Sequence, residues 1–593
     1  MILTTLLMAA AISAPQGAAT PVPLVDHKQL RIATSRLATE YPDLLTVLPV
    51  GESREGRPIE ALRLASGELT PGRPAILLVA NLDGPWAWTS GLALHHVRKL
   101  AEGFVEGDSA IRELLSTTTL YVVPRANPDG AEARFERPLE ERYATGHDVD
   151  NDRDGRKGED GADDVNGDGK ITWMRVPDPE GEWLADPVDE RAHVRAKRDK
   201  GERGRWKIMR EGRDDDGDEL IAEDPPFDAV FNRNFPHQWK EHHAHAGLFP
   251  TDEPEVRALA DYVLAHPDIA LVVTYGALDS VIEPSKPIRD NAPSVKRVPP
   301  TGVRQSDANA VAELAKRYKD MTGSKAVPAK VPDRDNGAIA RDGSFQAWCY
   351  HDRGLWTLDL ALWSMPLDAP VPAAEADGDG ADGEDAENSE GDEQASKETT
   401  SKDKPKPSDD AKRLRWIDAQ DDEVERFLTW TAFEHPTLGP VEIGGFAPYA
   451  LVEPPQAALE ELAQKELDFL VSLGDALPRV QVVDCTWRAL DESVYEIEAS
   501  VETAGLLPVH TRAARLARTP RPIRVAIELP DGARVHSGRT ERLVRQLEGA
   551  ARRETLTWLV GPAGDETFDP GAIRIVAETD HAGVARVAPT ETR

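Results

Sequence analysis

The residues best suited to chemistry gather in Val230-Phe231-Asn232-Arg233-Asn234-Phe235-Pro236, a short turn with one guanidinium between two carboxamides. An arginine fork offers two parallel N–H donors, the geometry that receives a carboxylate. Asn232 and Arg233 are therefore candidate carboxylate-binding residues, and the competing reading pairs Arg233 with a neighbouring aspartate. A histidine cluster follows in His237-Gln238-Trp239-Lys240-Glu241-His242-His243-Ala244-His245. A helix there would set His242 and His245 on one side, with Glu241 nearby; a surface turn is the favoured reading. A third group is acidic. Asp150, Asp152 and Asp154, then Asp164, Asn166 and Asp168, alternate at i, i+2, i+4 ahead of a glycine, and Asp214, Asp216 and Asp218 form a shorter version. That alternation folds oxygen ligands around calcium. The twelfth positions are Gly161 and Arg175, so the bidentate glutamate of an EF-hand is absent, and calcium sites and solvated acidic loops both stay open.

These residues need elements to place them. Val50 to Leu64 reads as a hairpin at a sheet edge, two strand-like runs around a Gly-rich charged turn. Ala75-Ile76-Leu77-Leu78-Val79-Ala80 is a continuous apolar run, as in a strand covered on both faces. The loop Asn81-Leu82-Asp83-Gly84-Pro85-Trp86 and a helix from about Thr89 to Glu102 follow it, which sets the loop at the carboxyl end of a central strand. A second buried strand, Thr119 to Pro124, runs into the turn Asn127-Pro128-Asp129-Gly130. Thr251 to Glu255 starts a helix whose Val256, Leu259, Ala260, Val263 and Leu264 share one face, and Ile269 to Tyr275 resumes as a buried strand. A helix around Asn309 to Thr322 and a strand through Gly354 to Trp363 complete the pattern, and a helix from Pro455 to Leu473 closes the domain. From Leu477 onward, short β-rich runs alternate with Gly and Pro. The expected fold is α/β, a mixed central sheet flanked by helices, with a C-terminal antiparallel β-sandwich domain.

The hairpin Gly51-Glu52-Ser53-Arg54-Glu55-Gly56-Arg57-Pro58-Ile59, the site loop, the Asn127 to Gly130 turn and the Asn232 to Pro236 turn together resemble the zinc carboxypeptidase family typified by carboxypeptidases A and B. The resemblance runs from about Glu40 to Leu473, with insertions; Gly343 to Tyr350 and Phe433 to Phe446 add to it, the latter similar to bacterial members. It implies a zinc ion held by two His and one Glu, with an open position for the attacking water. The family's HxxE pair falls on Asp83-Gly84-Pro85-Trp86, so Asp83 replaces His and Trp86 replaces Glu. The third ligand falls on Tyr275 and the catalytic glutamate on Ala361, with Asp359 two residues earlier on the same strand face. Asn232 and Arg233 occupy the family's positions for a peptide's C-terminal carboxylate. Zinc, the family's cofactor, is thus not expected to bind. The reading is a non-catalytic homologue that holds peptide or peptidoglycan C-termini; the alternatives are an active metallocarboxypeptidase and a calcium-stabilised extracellular scaffold.

With 593 residues and a formal net charge of −35, the chain is too acidic to favour nucleic acid or anionic membrane surfaces. Cys349 and Cys485 are its two cysteines, which excludes a disulfide framework and a CxxC site. The apolar run Ile2 to Ala14 reads as a secretory signal, residues 1–19, so the mature chain is expected to be secreted or periplasmic and without a membrane span. A carboxypeptidase-like domain is expected over 20–475, containing an acidic insertion at 148–224 and a disordered linker at 368–410. The β-sandwich takes 476–593.

Overall fold

A computed structural model describes residues 22–145, 155–158, 160–215, 217, 220–222, 225, 229–243, 245–290, 299–324, 339–367, 405–420, 424–517, 522–545, 547, 553–564 and 568–592. The signal segment 1–19 lies outside these, as do linker residues 368–404. The first layer of elements is α1 (His27–Glu40), β1 (Leu45–Glu52), β2 (Pro58–Leu64), β3 (Ala75–Ala80), α2 (Trp88–Glu106), α3 (Ser109–Thr117), β4 (Thr119–Val123) and the short α4 (Pro128–Glu132). Next come β5 (Trp173–Pro177), β6 (Trp183–Ala185), β7 (His193–Arg195), β8 (Trp206–Arg210), α5 (Pro254–Ala265) and β9 (Ile269–Tyr275). The domain ends with α6 (Gln305–Thr322), α7 (Phe345–His351), β10 (Trp356–Leu360), α8 (Asp409–Asp418), β11 (Phe427–His435), β12 (Gly439–Phe446) and α9 (Gln456–Ser472).

The central sheet has the order β1-β2-β4-β3-β9-β10, with β3, β4, β9 and β10 parallel and the β1–β2 hairpin antiparallel at one edge. Because side chains alternate across a sheet, Ile76, Leu78, Leu271, Val273, Tyr275, Leu358 and Leu360 enter one core with helices α2, α3, α6 and α9. Leu77, Val79 and Val272 enter the opposite core, against Val256, Leu259 and Val263 of α5 and Phe345 and Trp348 of α7. Gly91 lets α2 close on the N-terminal segment: a Cβ there would lie 1.8 Å from the Pro23 carbonyl oxygen. The N-cap residue of α5, Glu253, makes no side-chain cap bond, since its carboxylate pairs with Arg54 at 2.8 Å instead.

The acidic insertion holds more regular structure than its composition suggests. Strands β5 to β8 lie within it and join β11 and β12 in a second six-stranded sheet, order β11-β12-β5-β8-β6-β7. Met174, Val441 and Ile443 make its small core with Val176, Met209 and Ile221. On the other face the Arg175 guanidinium lies 4.8 Å from the ring centres of both Trp206 and Trp430. Residues 408–410, within the expected linker, form the start of α8. Ser408 caps α8 by accepting from the Ala411 N–H at 3.2 Å, and its own N–H donates to Asp186 at 2.9 Å.

Beyond α9, strands 479–489, 495–504, 533–537, 553–562 and 590–591 form one sheet and strands 523–528, 541–544, 574–579 and 583–587 another. Ile497, Val501, Val525, Trp558 and Ile575 fill the space between them, a sandwich. It is docked on the first domain. Trp356 Nε1 donates to the Pro508 carbonyl at 2.8 Å, and the Arg512 and Ala513 N–H groups donate to Asp307 of α6 at 2.7 and 3.2 Å. Among the described residues no helix is long and apolar enough to cross a membrane.

Candidate functional site

The carboxyl ends of β3, β9 and β10 carry the site. Asn81 leaves β3 with φ 55°, and its Nδ2 donates to the carbonyls of Asp83 and Gly84 at 3.0 and 3.2 Å, which curls the loop. A Cβ on Gly84 would lie 2.1 Å from the Arg142 carbonyl oxygen and 3.0 Å from the Gly130 Cα. The glycines of the Asp83-Gly84 loop and the Asn127 to Gly130 turn therefore meet backbone to backbone, which explains both. Asn127 Oδ1 accepts from the Gly130 N–H at 3.0 Å and starts α4.

Asp83 is 2% exposed. Its Oδ2 accepts from the Ala277 N–H at 2.8 Å, just past the end of β9, and its Oδ1 accepts from Asn232 Nδ2 at 3.4 Å. Burial pushes its carboxyl up to about 6, against the pull of those two donors. Asn232 Oδ1 accepts in turn from the Phe345 N–H at 2.9 Å. Both ends of the Asn232 carboxamide are thus tied to protein, so it acts as a strut between loops. Arg233 Nη2 donates to Asp342 Oδ2 at 3.1 Å, and Lys240 Nζ lies 3.1 Å from the same oxygen. Burial lowers the pKa of Arg233. Burial also opposes ionisation of Asp342, yet Lys240 and Arg233 together hold its carboxyl below the ordinary value.

Register places Asp359 of β10 beside Thr274 of β9. Asp359 Oδ2 accepts from Arg341 Nη1 at 3.1 Å and Oδ1 from Thr274 Oγ1 at 3.5 Å, while Gln346 Nε2 donates to Thr274 Oγ1 at 3.3 Å. Burial raises the Asp359 pKa despite Arg341. Ala361 is buried and carries no acid or base.

The positions aligned with zinc ligands do not converge. Trp86 packs edge-on to Tyr143, ring centres 6.4 Å apart, within the apolar core. Tyr275 points to the face of the sheet opposite Asp359 and Thr274, where its ring lies 5.8 Å from that of His96. His96 Nε2 meets the Ala463 carbonyl at 3.0 Å, which assigns the proton to Nε2 and leaves Nδ1 to accept from the Tyr275 hydroxyl at 3.3 Å. One engaged carboxylate and two core aromatics do not fit a zinc ion, which needs nitrogen, sulfur or carboxylate donors closing on one point. The histidine turn offers no substitute: His242 and His245 have φ of 61° and 70°, so no helix aligns them. His237 stacks on His351 at 4.2 Å, with its ring nitrogens 3.0 Å from Asp352 Oδ1 and 2.9 Å from the Pro300 carbonyl.

In the middle acidic loop the carboxylates turn onto their own backbone. Asp164 accepts from the Asp168 and Gly169 N–H groups at 3.0 and 2.8 Å, Asn166 Oδ1 from Asp168 N–H at 2.8 Å, and Asp168 from Lys170 N–H at 2.9 Å. Asp214 accepts likewise from Gly217 N–H at 2.6 Å. Asp150, Asp152, Asp154, Asp216 and Asp218 lie outside the described residues. Among the described residues no group of three or more His, Cys, Asp or Glu is placed to hold a metal ion. The residues that sequence reasoning missed are Thr274, Arg341, Asp342 and Gln346. Position just before or within the Gly343 to Tyr350 segment was the only signal for three of them.

A mixed sheet with a polar cluster at the carboxyl ends of its parallel strands defines an α/β protein whose candidate site lies at that edge. Residues 32–367 match the model of the zinc carboxypeptidase family, and the chain belongs to that family. Residues 479–590 match a domain of unknown function. Similar curated proteins include mouse (Mus musculus) carboxypeptidase D, 37% identical over 114 residues, which are 17% of this chain and 8% of that protein. Carboxypeptidase E of Caenorhabditis elegans is 30% identical over 124 residues, 20% of this chain and 26% of that protein. The matched segments thus span well under two thirds of these relatives. Among solved structures, carboxypeptidase A from Helicoverpa armigera is 16% identical with a TM-score of 0.33, covering 58% of this chain and 66% of that one. Murein-tripeptide amidase MpaA from Escherichia coli O157 is 15% identical with a TM-score of 0.21, covering 53% and 81%.

Proposed function

We propose that this protein is an exported, non-hydrolytic member of its family that binds the C-terminal carboxylate of a peptide or peptidoglycan stem at Arg233. The reading rests on Arg233, a buried guanidinium in carboxylate-binding geometry; its pairing with Asp342 at 3.1 Å is the aspartate contact that the sequence left as the alternative, and a ligand has to displace it. An incoming carboxylate would replace Asp342, which Lys240 can retain, so the exchange leaves no buried charge alone. Asn232 braces the turn through Asp83 and the Phe345 N–H and has a second amide N–H to offer the same carboxylate. Hydrolysis is absent from the proposal because Asp83, Trp86 and Tyr275 do not assemble around a metal and Ala361 cannot serve as a base. Export rests on the apolar run Ile2 to Ala14.

Titration calorimetry with peptide pairs that differ only in a free or amidated C-terminus, together with metal analysis and a hydrolysis assay, tests this. Free termini should bind at least about tenfold more tightly, a charge-assisted hydrogen bond being worth about 1.5–3 kcal/mol, and Arg233→Met should erase the difference. About one zinc per chain with chelator-sensitive hydrolysis would overturn the reading.

A further inference from the structure

His237 follows the Arg233 turn directly and is buried. Its Nδ1 lies 3.0 Å from Asp352 Oδ1, just past the end of α7, and its Nε2 lies 2.9 Å from the Pro300 carbonyl oxygen. A carbonyl oxygen and a carboxylate can only accept, so each ring nitrogen must carry a proton for both bonds to form. The ring that fits this cradle is therefore imidazolium, with Asp352 as its counter-charge. A neutral ring would turn a lone pair toward one of the two oxygens and lose that bond.

Other titratable groups border the ring. His351 of α7 stacks on it at 4.2 Å and stays uncharged, because burial, with His237 and Arg304 nearby, brings it down to about 3. Arg304 at the start of α6 and Arg353 beside Asp352 are the cations on that side, and Lys240 on the turn is held by Asp342. The Tyr350 hydroxyl donates to Asp307. Across the turn, the Asp83 carboxyl, pushed up to about 6, faces Asn232. Backbone bonds carry the hold of the ring to Arg233. The Gly343 N–H donates to the His237 carbonyl at 2.8 Å, and the Phe235 N–H donates to the Gly343 carbonyl at 2.8 Å. Gly343 adjoins Asp342, the partner of Arg233, and packs so closely on the Arg233 carbonyl that no Cβ fits between them. We propose that protonated His237 is the positioning residue that seats Arg233 for a terminal carboxylate, so that binding weakens as pH rises through the titration of this ring. The proposal rests on Arg233 as the carboxylate site. By linkage, a bound carboxylate must raise the proton affinity of His237 by the same factor.

The probe is N-acetyl-trialanine with a free C-terminus, titrated into the full chain by calorimetry at pH 5.5 and pH 8, where its carboxylate is ionised throughout. Affinity should be at least about fivefold higher at the lower pH, the low end of ordinary coupling between sites. His237→Gln should bind equally at both pH values. Asp352→Asn, which removes the counter-charge from a half-exposed position, should move the midpoint of the dependence to lower pH. In ¹⁵N-histidine NMR the His237 ring, assigned by its loss in His237→Gln, should hold its proton to higher pH when the peptide is bound. Equal affinity at both pH values, with binding abolished by Arg233→Met, would overturn this proposal and leave the Arg233 site standing, whereas no binding at any pH would overturn both. An unmoved midpoint in Asp352→Asn would overturn it whether or not His237→Gln folds. Loss of the pH dependence in Asp83→Asn would also overturn it and assign the proton to Asp83.

Discussion

Asp83 holds a backbone N–H with a carboxyl group that water cannot reach, and both facts are measurable. Asp83→Ala would strip the Ala277 N–H of its acceptor and lower stability by about 1–3 kcal/mol in denaturant titration, whereas Asp83→Asn keeps the acceptor. The pH dependence has a definite sign. The folded carboxyl binds its proton up to about 6, well above the ordinary 3.8, so between these values the folded state carries the extra proton. Stability contributed by Asp83 is therefore greatest at low pH and falls as pH rises through that window. Thermal melts from pH 4 to 7 should show a flatter slope for Asp83→Asn than for the natural chain; an unchanged slope would show that Asp83 titrates normally.

Helix α2 owes its position to a side chain that is missing. Gly91→Ala would drive a Cβ to within 1.8 Å of the Pro23 carbonyl oxygen, and because that atom is backbone the helix must shift. A loss of about 1–3 kcal/mol or more is expected from such overpacking, read as a lower denaturation midpoint. At this scale much of the architecture was legible. The continuous apolar runs became β3, β4 and β9, the Gly-rich turn became the β1–β2 hairpin, and the spaced apolar face from Val256 became α5. Strands β5 and β8 were not legible, because their period-two pattern is short and sits among acidic loops, and α8 begins beside the low-complexity stretch that hides its cap. At the candidate site the sequence showed positions but not directions. Alignment of loops located Asp83, Tyr275 and Ala361, but the direction of each side chain came only from strand parity and packing. Asn232 was read as a ligand-binding group, and its bonds to Asp83 and Phe345 were hidden because those partners lie 149 and 113 residues away in sequence. The Arg341–Asp359–Thr274–Gln346 chain likewise draws on three segments that no local pattern connects.

The two domains should melt as one. Asp307 of α6 receives the Arg512 and Ala513 N–H groups as well as the Tyr350 hydroxyl, so the sandwich is tied to a helix that also holds α7. Calorimetry should record a single transition, and Asp307→Ala, which orphans all three donors, should split it and cost more than about 2 kcal/mol. One transition at an unchanged temperature in that variant would show the junction to be incidental. The Trp86 ring has a longer reach than its own contacts with Tyr143. Reinstating an acid there would sink an unaccompanied carboxylate into oil, a loss of several kcal/mol before any ion could reward it. Tyr275 would have to cross from one side of the sheet to the other as well. Trp86→Glu alone should therefore lower stability by several kcal/mol and leave Tyr275 on the far side of the sheet.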